Sequence, residues 1–169
     1  MSRIHRLRDS DRIFFVTVNL RRTLAPLRTR EYGDLIASID ASRAKLGFKL
    51  LGYVVMPDHW HALVSTASPL TISRALQDVK WLAARAVNCA RATSGAVWQH
   101  QFWDRFVRHR KEFEHRLTYM HFNPVKRGLV SAPEDWRWSS CNNFSADADI
   151  ARNCPIAIDR VELPENYRA

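Results

Sequence analysis

Two apolar runs, Phe48 to Met56 and His59 to Thr66, are parted only by Pro57-Asp58. A break that short between strand-like runs reads as a tight turn, so the two pair as an antiparallel hairpin. The segments around the hairpin extend it into a sheet with helices. Ile13-Phe14-Phe15-Val16-Thr17-Val18-Asn19-Leu20 is β-branched and aromatic, reads as a buried strand, and leaves through Arg21, Arg22 and Pro26. From Thr29 or Arg30 to Leu46, the apolar residues Leu35, Ile36, Ile39 and Ala44 recur near helical spacing, and Gly47 is a natural stop. Pro69 to Thr93 is the longest predicted helix, with the stripe Ile72, Leu76, Val79, Ala83, Val87 and Ala90, ended by Ser94-Gly95. Phe102 to His109 reads as a fourth strand, and Lys111 to Phe122 as a second amphipathic helix closed by Asn123-Pro124. The order β-α-β-β-α-β-α predicts the α+β class: a ferredoxin-like antiparallel sheet with helices packed on one face, in a single domain. Residues 1–144 read as that domain and 145–169 as a C-terminal tail.

On a strand the side chains at i and i+2 share a face. His59 and His61 therefore project side by side, and Trp60 points into the opposite layer. Two imidazoles held this way can grip one metal ion, although a His-x-His pair also suits a surface or a core. His5, His100, His109 and His121 form no ligand spacing. In the helix from 111 to 122, Phe113, Leu117 and Met120 make the apolar stripe. Tyr119 lies off it, on one face with His115 and Asn123 and close to Arg116. A tyrosine that leaves the core for polar company is placed for chemistry, and its phenol becomes a nucleophile once its proton departs. Asn123 has two readings. Its amide oxygen, one turn from Tyr119, can complete a two-histidine metal site and leave positions open for phosphate oxygens. Alternatively it caps the helix ahead of Pro124.

The net charge is +9. Residues 145–169 hold three arginines and five acids, a balance of −2, which leaves +11 on residues 1–144. Nucleic acid is the default partner of such a domain, because clustered Lys and Arg release the counterions of its phosphates. Arg74, Lys80 and Arg85 lie on the polar side of the long helix, Lys126 and Arg127 follow the tyrosine helix, and Arg3, Arg6 and Arg8 open the chain. Trp81 and Trp103 either stack an unpaired base or pack the core. No apolar stretch is long enough to span a bilayer, and the basic N-terminus lacks the apolar region of a signal peptide, so a cytoplasmic location is expected. Cys89, Cys141 and Cys154 are widely spaced with no CxxC pair, which indicates neither a disulfide framework nor a zinc finger.

Tyr53-Val54-Val55-Met56-Pro57-Asp58-His59-Trp60-His61 resembles the His-hydrophobic-His motif of single-tyrosine transposases. Tyr119-Met120-His121-Phe122-Asn123-Pro124-Val125-Lys126-Arg127-Gly128-Leu129-Val130 is similar to the second signature of that group. Val97-Trp98-Gln99, Phe102-Trp103-Asp104-Arg105 and Trp136-Arg137-Trp138-Ser139-Ser140 fit in the same order, and the REP-associated tyrosine transposases are the nearest branch. The resemblance implies a ferredoxin-like fold with the His pair on a central strand. It implies Tyr119 as the nucleophile of a 5′-phosphotyrosyl step, and His59, His61 and Asn123 as holders of Mg2+ or Mn2+; ligand softness alone would admit zinc. It further implies cleavage and rejoining of single-stranded DNA beside REP-type hairpins, by a monomer or a homodimer. Arg74, Lys80, Arg85, Arg105, Lys126 and Arg127 are the expected DNA-binding residues. Two rivals stand beside this reading. One is a non-catalytic hairpin-binding regulatory protein, which needs no metal. The other is a zinc-dependent RNA-processing enzyme, for which no further zinc-ligand set occurs.

Overall fold

The structure, a computed structural model, describes residues 5–6, 12–152 and 154–163. Strand β1 is His5–Arg6, β2 Arg12–Asn19, β3 Lys49–Val55, β4 His59–Thr66, β5 Trp103–Phe106 and β6 Val161–Glu162. The helices are α1 Thr29–Leu46, α2 Ile72–Arg91, α3 Arg110–Lys126 and α4 Ala148–Arg152. The predicted hairpin is present: β3 and β4 pair antiparallel, with Val55 opposite Trp60 and Val54 opposite His61. The sheet runs β3-β4-β2-β5, and β2 is antiparallel to both of its neighbours. Numbered by the four sheet strands alone, that is the 2-3-1-4 order of a ferredoxin-like sheet. β1 and β6 make a separate short parallel pair.

Helices cover both faces of the sheet, not one. Val16, Val18, Tyr53, Val55, Trp60, Ala62 and Val64 meet Leu35, Ile36 and Ile39 of α1 and Leu76, Val79 and Ala83 of α2. Ile13, Phe15, Val54 and Leu63 meet Met120, Phe113 and Leu117 of α3 on the other side. The cause is visible in the strands. Every residue of β4 after His59 is buried, and a strand buried on both faces needs a layer on each. At about 25 cal/mol per Å2 of apolar area, two such layers supply most of the drive to fold.

Local signals set the helix ends. α1 stops at Gly47, whose φ of 76° is left-handed and suits a residue without Cβ. Thr71 caps α2 by accepting from the Arg74 N–H, and His109 Nδ1 does the same for Glu112 at the start of α3. Pro124 does not close α3 at Asn123. The helix runs through it to Lys126, and Arg127 N–H donates to Asn123 O at 3.0 Å. Proline removes one ladder bond; the burial of Met120, His121, Asn123 and Pro124 on the sheet outweighs it.

Gly52 sits where the β3–β4 register shifts. A Cβ there would come 2.8 Å from both Leu117 Cδ1 and Met120 Cε, so α3 seats directly on this bare backbone. Beyond α3, the outer edge of β3 is sealed by residues 136–140: Trp138 O accepts from Val55 N–H, and Tyr53 O from Ser140 N–H. The segment after residue 144, read from sequence as a tail, is docked in its described part. Ile158 is buried in the core, and Asp159 exchanges hydrogen bonds with the Leu50 backbone.

Candidate active site

Pairing register lines up one row of side chains across the α3 face of the sheet: Val54, His61, Thr17 and Trp103. His59 stands two residues before His61 on β4, with ring centroids 4.7 Å apart, while Trp60 is buried in the opposite layer. α3 crosses above and brings two more groups. Asn123 Nδ2 donates to His61 Nε2 at 3.0 Å. The Tyr119 ring lies 5.7 Å from the His61 ring and remains 37% exposed, on the wall of a cavity of about 450 Å3 lined by Thr17, His59, His61, Asn123, Lys126 and Arg127. Four of the residues singled out in the sequence, His59, His61, Tyr119 and Asn123, therefore converge, although Tyr119 follows His61 by nearly sixty residues. Asn123 faces the histidines from within a helix and does not serve as an end cap.

Each imidazole has a fixed partner. His61 Nδ1 pairs with Thr17 Oγ1 at 2.8 Å, and His59 Nδ1 donates to Asp58 Oδ1 at 2.6 Å. Burial, aided by the neighbouring His59, pushes His61 down to about 3, so its ring is neutral at physiological pH and its Nε2 lone pair is the acceptor for Asn123 Nδ2. Burial works against ionisation of Asp58, but hydrogen bonds from His59 and Arg127 outweigh it and hold the carboxyl below its usual range. Arg127 Nη2 lies 2.8 Å from Asp58 Oδ2, which ties the end of α3 to the β3–β4 turn. Lys126 Nζ stands 5.0 Å from the centre of the Tyr119 ring.

The donor types suit a divalent cation, two imidazoles and an amide, and an ion bound to His61 Nε2 would displace the Asn123 Nδ2 hydrogen bond that now occupies it. Imidazole and amide oxygen together suit Mg2+, Mn2+ or zinc. Among the described residues no group of three His, Cys, Asp or Glu could hold a metal, so any ion here depends on Asn123 and on oxygens from outside the protein.

The remaining cationic residues scatter. Lys126 and Arg127 border the cavity. Arg105 is ion-paired to Glu112 at 2.8 Å in a groove beside β5. Arg74, Lys80 and Arg85 lie on α2, on the opposite side of the sheet. Lys80 is committed to the backbone, donating to Gln99 O and His100 O, and Arg85 stacks 4.7 Å over Trp81. These three are not gathered at the site. Arg3 and Arg8 lie outside the described residues. Sequence reasoning missed Thr17, Asp58 and Phe15, whose buried ring lies 5.2 Å from His61 and 6.1 Å from Tyr119. Only the two-residue periodicity of β2, which places Phe15, Thr17 and Asn19 on one face, could have flagged two of them. His121 is buried away from the site, bonded to Ser140 Oγ, and burial lowers it to about 4.

Fold and site together define a ferredoxin-like α+β domain in which an exposed tyrosine faces paired histidines. Residues 13–109 match the family model described as transposase IS200 like, and the chain belongs to that family. The match ends before α3. A REP-associated tyrosine transposase of Escherichia coli (strain K12) is 28% identical over 141 residues, spanning 82% of this chain and 79% of that protein. The structure of a REP-associated tyrosine transposase bound to a REP hairpin superposes with a TM-score of 0.71 at 27% identity, covering 100% of this chain and 99% of the other. Among the described residues no helix is long and apolar enough to cross a membrane.

Proposed function

We propose that this chain cuts and rejoins single-stranded DNA beside REP-type hairpins, with Tyr119 as the nucleophile. The observation that carries the reading is the exposed Tyr119 ring, set 5.7 Å from His61 in the cavity that His59 and Asn123 share. The related protein solved with a REP hairpin supplies the substrate class. The phenolic oxygen attacks phosphorus in line, the P–O3′ bond breaks, and the freed 3′-oxygen takes up a proton. The 5′ side is left as a phosphotyrosine. Attack by a 3′-hydroxyl reverses the step and expels Tyr119, joining the strand again. The Lys126 ammonium, held over the ring, offsets the negative charge that develops on the phenol. His59, His61 and Asn123 are the residues that would hold Mg2+ or Mn2+, which when bound polarises the scissile phosphate. Thr17 and Asp58 fix the two imidazoles by occupying their Nδ1 atoms.

The test is a denaturing gel of hairpin-bearing single strands incubated with protein and Mg2+ or Mn2+. The wild type yields a nicked strand and a protein–DNA adduct; Tyr119→Phe yields neither and keeps its hairpin affinity. Nicking by Tyr119→Phe at the normal rate would refute the assignment. Metal-independent hairpin binding by the wild type without any nicking would favour a regulatory binder.

A further inference from the structure

A polar cavity lies beyond the paired histidines, at the end of the sheet. It encloses about 380 Å3 and is lined by Asn19, Arg21, Arg22, Pro26, Asp58 and Gln99, among others. It shares Asn19 and Asp58 with the cavity at Tyr119, so the two meet where β2 ends. Arg21 and Arg22 are exposed, and among the described residues neither side chain has a hydrogen-bond or ion-pair partner. The Asp58 carboxylate is already answered by Arg127 and His59. The cavity therefore keeps two positive charges without a counter-charge. Its wall is fixed backbone. Leu20 N–H donates to Asp58 O at 2.8 Å, and Arg21 N–H to Val97 O and Gln99 N–H to Asn19 O at 2.9 Å. Gln99 Nε2 donates to Leu20 O at 3.1 Å, and Lys80 Nζ holds Gln99 O at 2.7 Å.

Strand β2 sets the direction from one cavity to the other. Alternate residues share a face: Phe15 touches the Tyr119 ring, Thr17 bonds His61, and Asn19 stands opposite His59. From Phe15 to Asn19 is about 13 Å, and the polar cavity opens past Asn19, at the end of this row away from Tyr119. Displacement at phosphorus sets the attacking and leaving oxygens in line on opposite sides. With Tyr119 attacking from the Phe15 end, the departing O3′ points toward Asn19 and the two arginines. The cavity volume falls within the range of small-ligand sites, about 300–1,000 Å3, and guanidinium groups match a phosphate bidentately.

Resting on the DNA-processing reading above, we propose that this cavity is a holding site for the 3′-hydroxyl end that cleavage releases. Arg21 and Arg22 take the last phosphates of that fragment while Tyr119 keeps the 5′ side. Retention decides the outcome of the reaction. The adduct is resolved when a 3′-hydroxyl oxygen attacks phosphorus, the P–O bond to Tyr119 breaks, and the phenol recovers a proton. A fragment held beside the adduct has a high effective concentration and is rejoined; once it escapes, the adduct waits for another 3′ end.

The experiment uses the full chain, Mg2+ or Mn2+, and a single strand with a REP-type hairpin labelled at both ends. Arg21→Gln with Arg22→Gln, both far from the core, releases the 3′-hydroxyl fragment about 10-fold faster on native gels. The same variant accumulates more phosphotyrosine adduct than the wild type on denaturing gels, and passes more of it to an unlabelled competitor strand. The slope of log release rate against log salt falls by about 1.4, two contacts at about 0.7 each for a single strand. Arg21→Lys with Arg22→Lys keeps both charges and restores the slope. Release at the wild-type rate, or less adduct than the wild type, would overturn the proposal. A wild type that forms no adduct would overturn the DNA-processing reading, and the proposal with it.

Discussion

The seat of α3 on Gly52 makes a sharp prediction. A Cβ at this position would lie 2.8 Å from Leu117 Cδ1 and Met120 Cε and 3.5 Å from Ser140 Oγ. Carbon atoms settle at about 3.5–4.0 Å, so Gly52→Ala must find roughly 0.7–1.2 Å of room. Leu117 and Met120 contribute only side-chain ends, which lowers the cost, but Met120 is fully buried and its methyl cannot swing into water. Part of the displacement therefore passes to the helix. Overpacking of this kind costs about 1–3 kcal/mol. Tyr119 lies between the two displaced residues and Asn123 follows one turn later, so both leave their places opposite the histidines. A misplacement of about 1 Å at reacting groups can cost about 100-fold in rate. Urea unfolding should show the loss of stability, and single-turnover nicking of a hairpin-flanked strand should slow by about 10- to 100-fold while hairpin affinity holds. Wild-type nicking and stability in Gly52→Ala would show that α3 does not rest on this backbone. An equal fall in binding would show that the shift is not confined to the catalytic face.

A buried ion pair and the metal carry the remaining predictions. Glu31 is 1% exposed and accepts from Arg91 Nε at 2.6 Å and Nη2 at 2.7 Å; Glu31→Gln removes the counter-charge of the half-buried Arg91, which keeps the carbonyls of Ala25 and Pro26, and should cost about 1.5–3 kcal/mol, read from the urea midpoint. The Arg91 hydrogen bond holds Glu31 below its ordinary value of 4.5, so its contribution is complete above that pH and drains away as the pH falls below it. Asp78, held below 3.8 by Lys45, follows further down. Thermal melts from neutral to acid should thus fall below about pH 4.5 in the wild type, with a shallower fall in Glu31→Gln; parallel curves would acquit the pair. Chelation with EDTA should stop nicking, Mg2+ or Mn2+ should restore it, and hairpin affinity should persist throughout. Nicking that survives the chelator would remove His59, His61 and Asn123 from the role of metal ligands.

Much of this architecture can be read along the chain where the determinant is local. Pro57-Asp58 is too short a break for anything but a hairpin, and its register alone places His59 and His61 on one face with Trp60 on the other. Gly47 marks the end of α1 by chemistry that needs no tertiary partner, whereas the helix read from Pro69 begins only after its Thr71 cap. Long-range determinants were not legible. The apolar runs of β3 and β4 were a sign of burial on both faces, yet no local signal says which helix covers which side. Pro124 looked like a terminator because proline opposes helix locally, and burial of the last turn of α3 overrode it. Lys80 and Arg85 had the composition of a phosphate-binding face; the fold sets Lys80 Nζ on the backbone carbonyls of Gln99 and His100 and Arg85 over the exposed Trp81, on the side of the sheet away from Tyr119. Arg105 likewise meets Glu112, seven residues away across a turn whose shape the sequence does not announce.

Thr17 shows why such a site needs its sheet. Its hydroxyl meets His61 Nδ1 only because the two residues are directly opposed on β2 and β4, and its other neighbour across the ladder is Trp103. A one-residue slip of β2 would carry Phe15, Thr17 and Asn19 to the α1–α2 face and replace them with Val16 and Val18. That slip is blocked by the core on both sides, since it would also drive Phe15 into the layer packed for Val16. The apolar contacts that stabilise the domain are therefore the same contacts that hold the imidazole row in register with the groove. Asn123 and Tyr119 enter that register through a single helix, seated on Gly52 and anchored at its end by the Arg127–Asp58 pair. Precision at the tyrosine thus depends on two supports, a bare backbone under α3 and a charge pair at the hairpin turn whose Asp58 also holds His59.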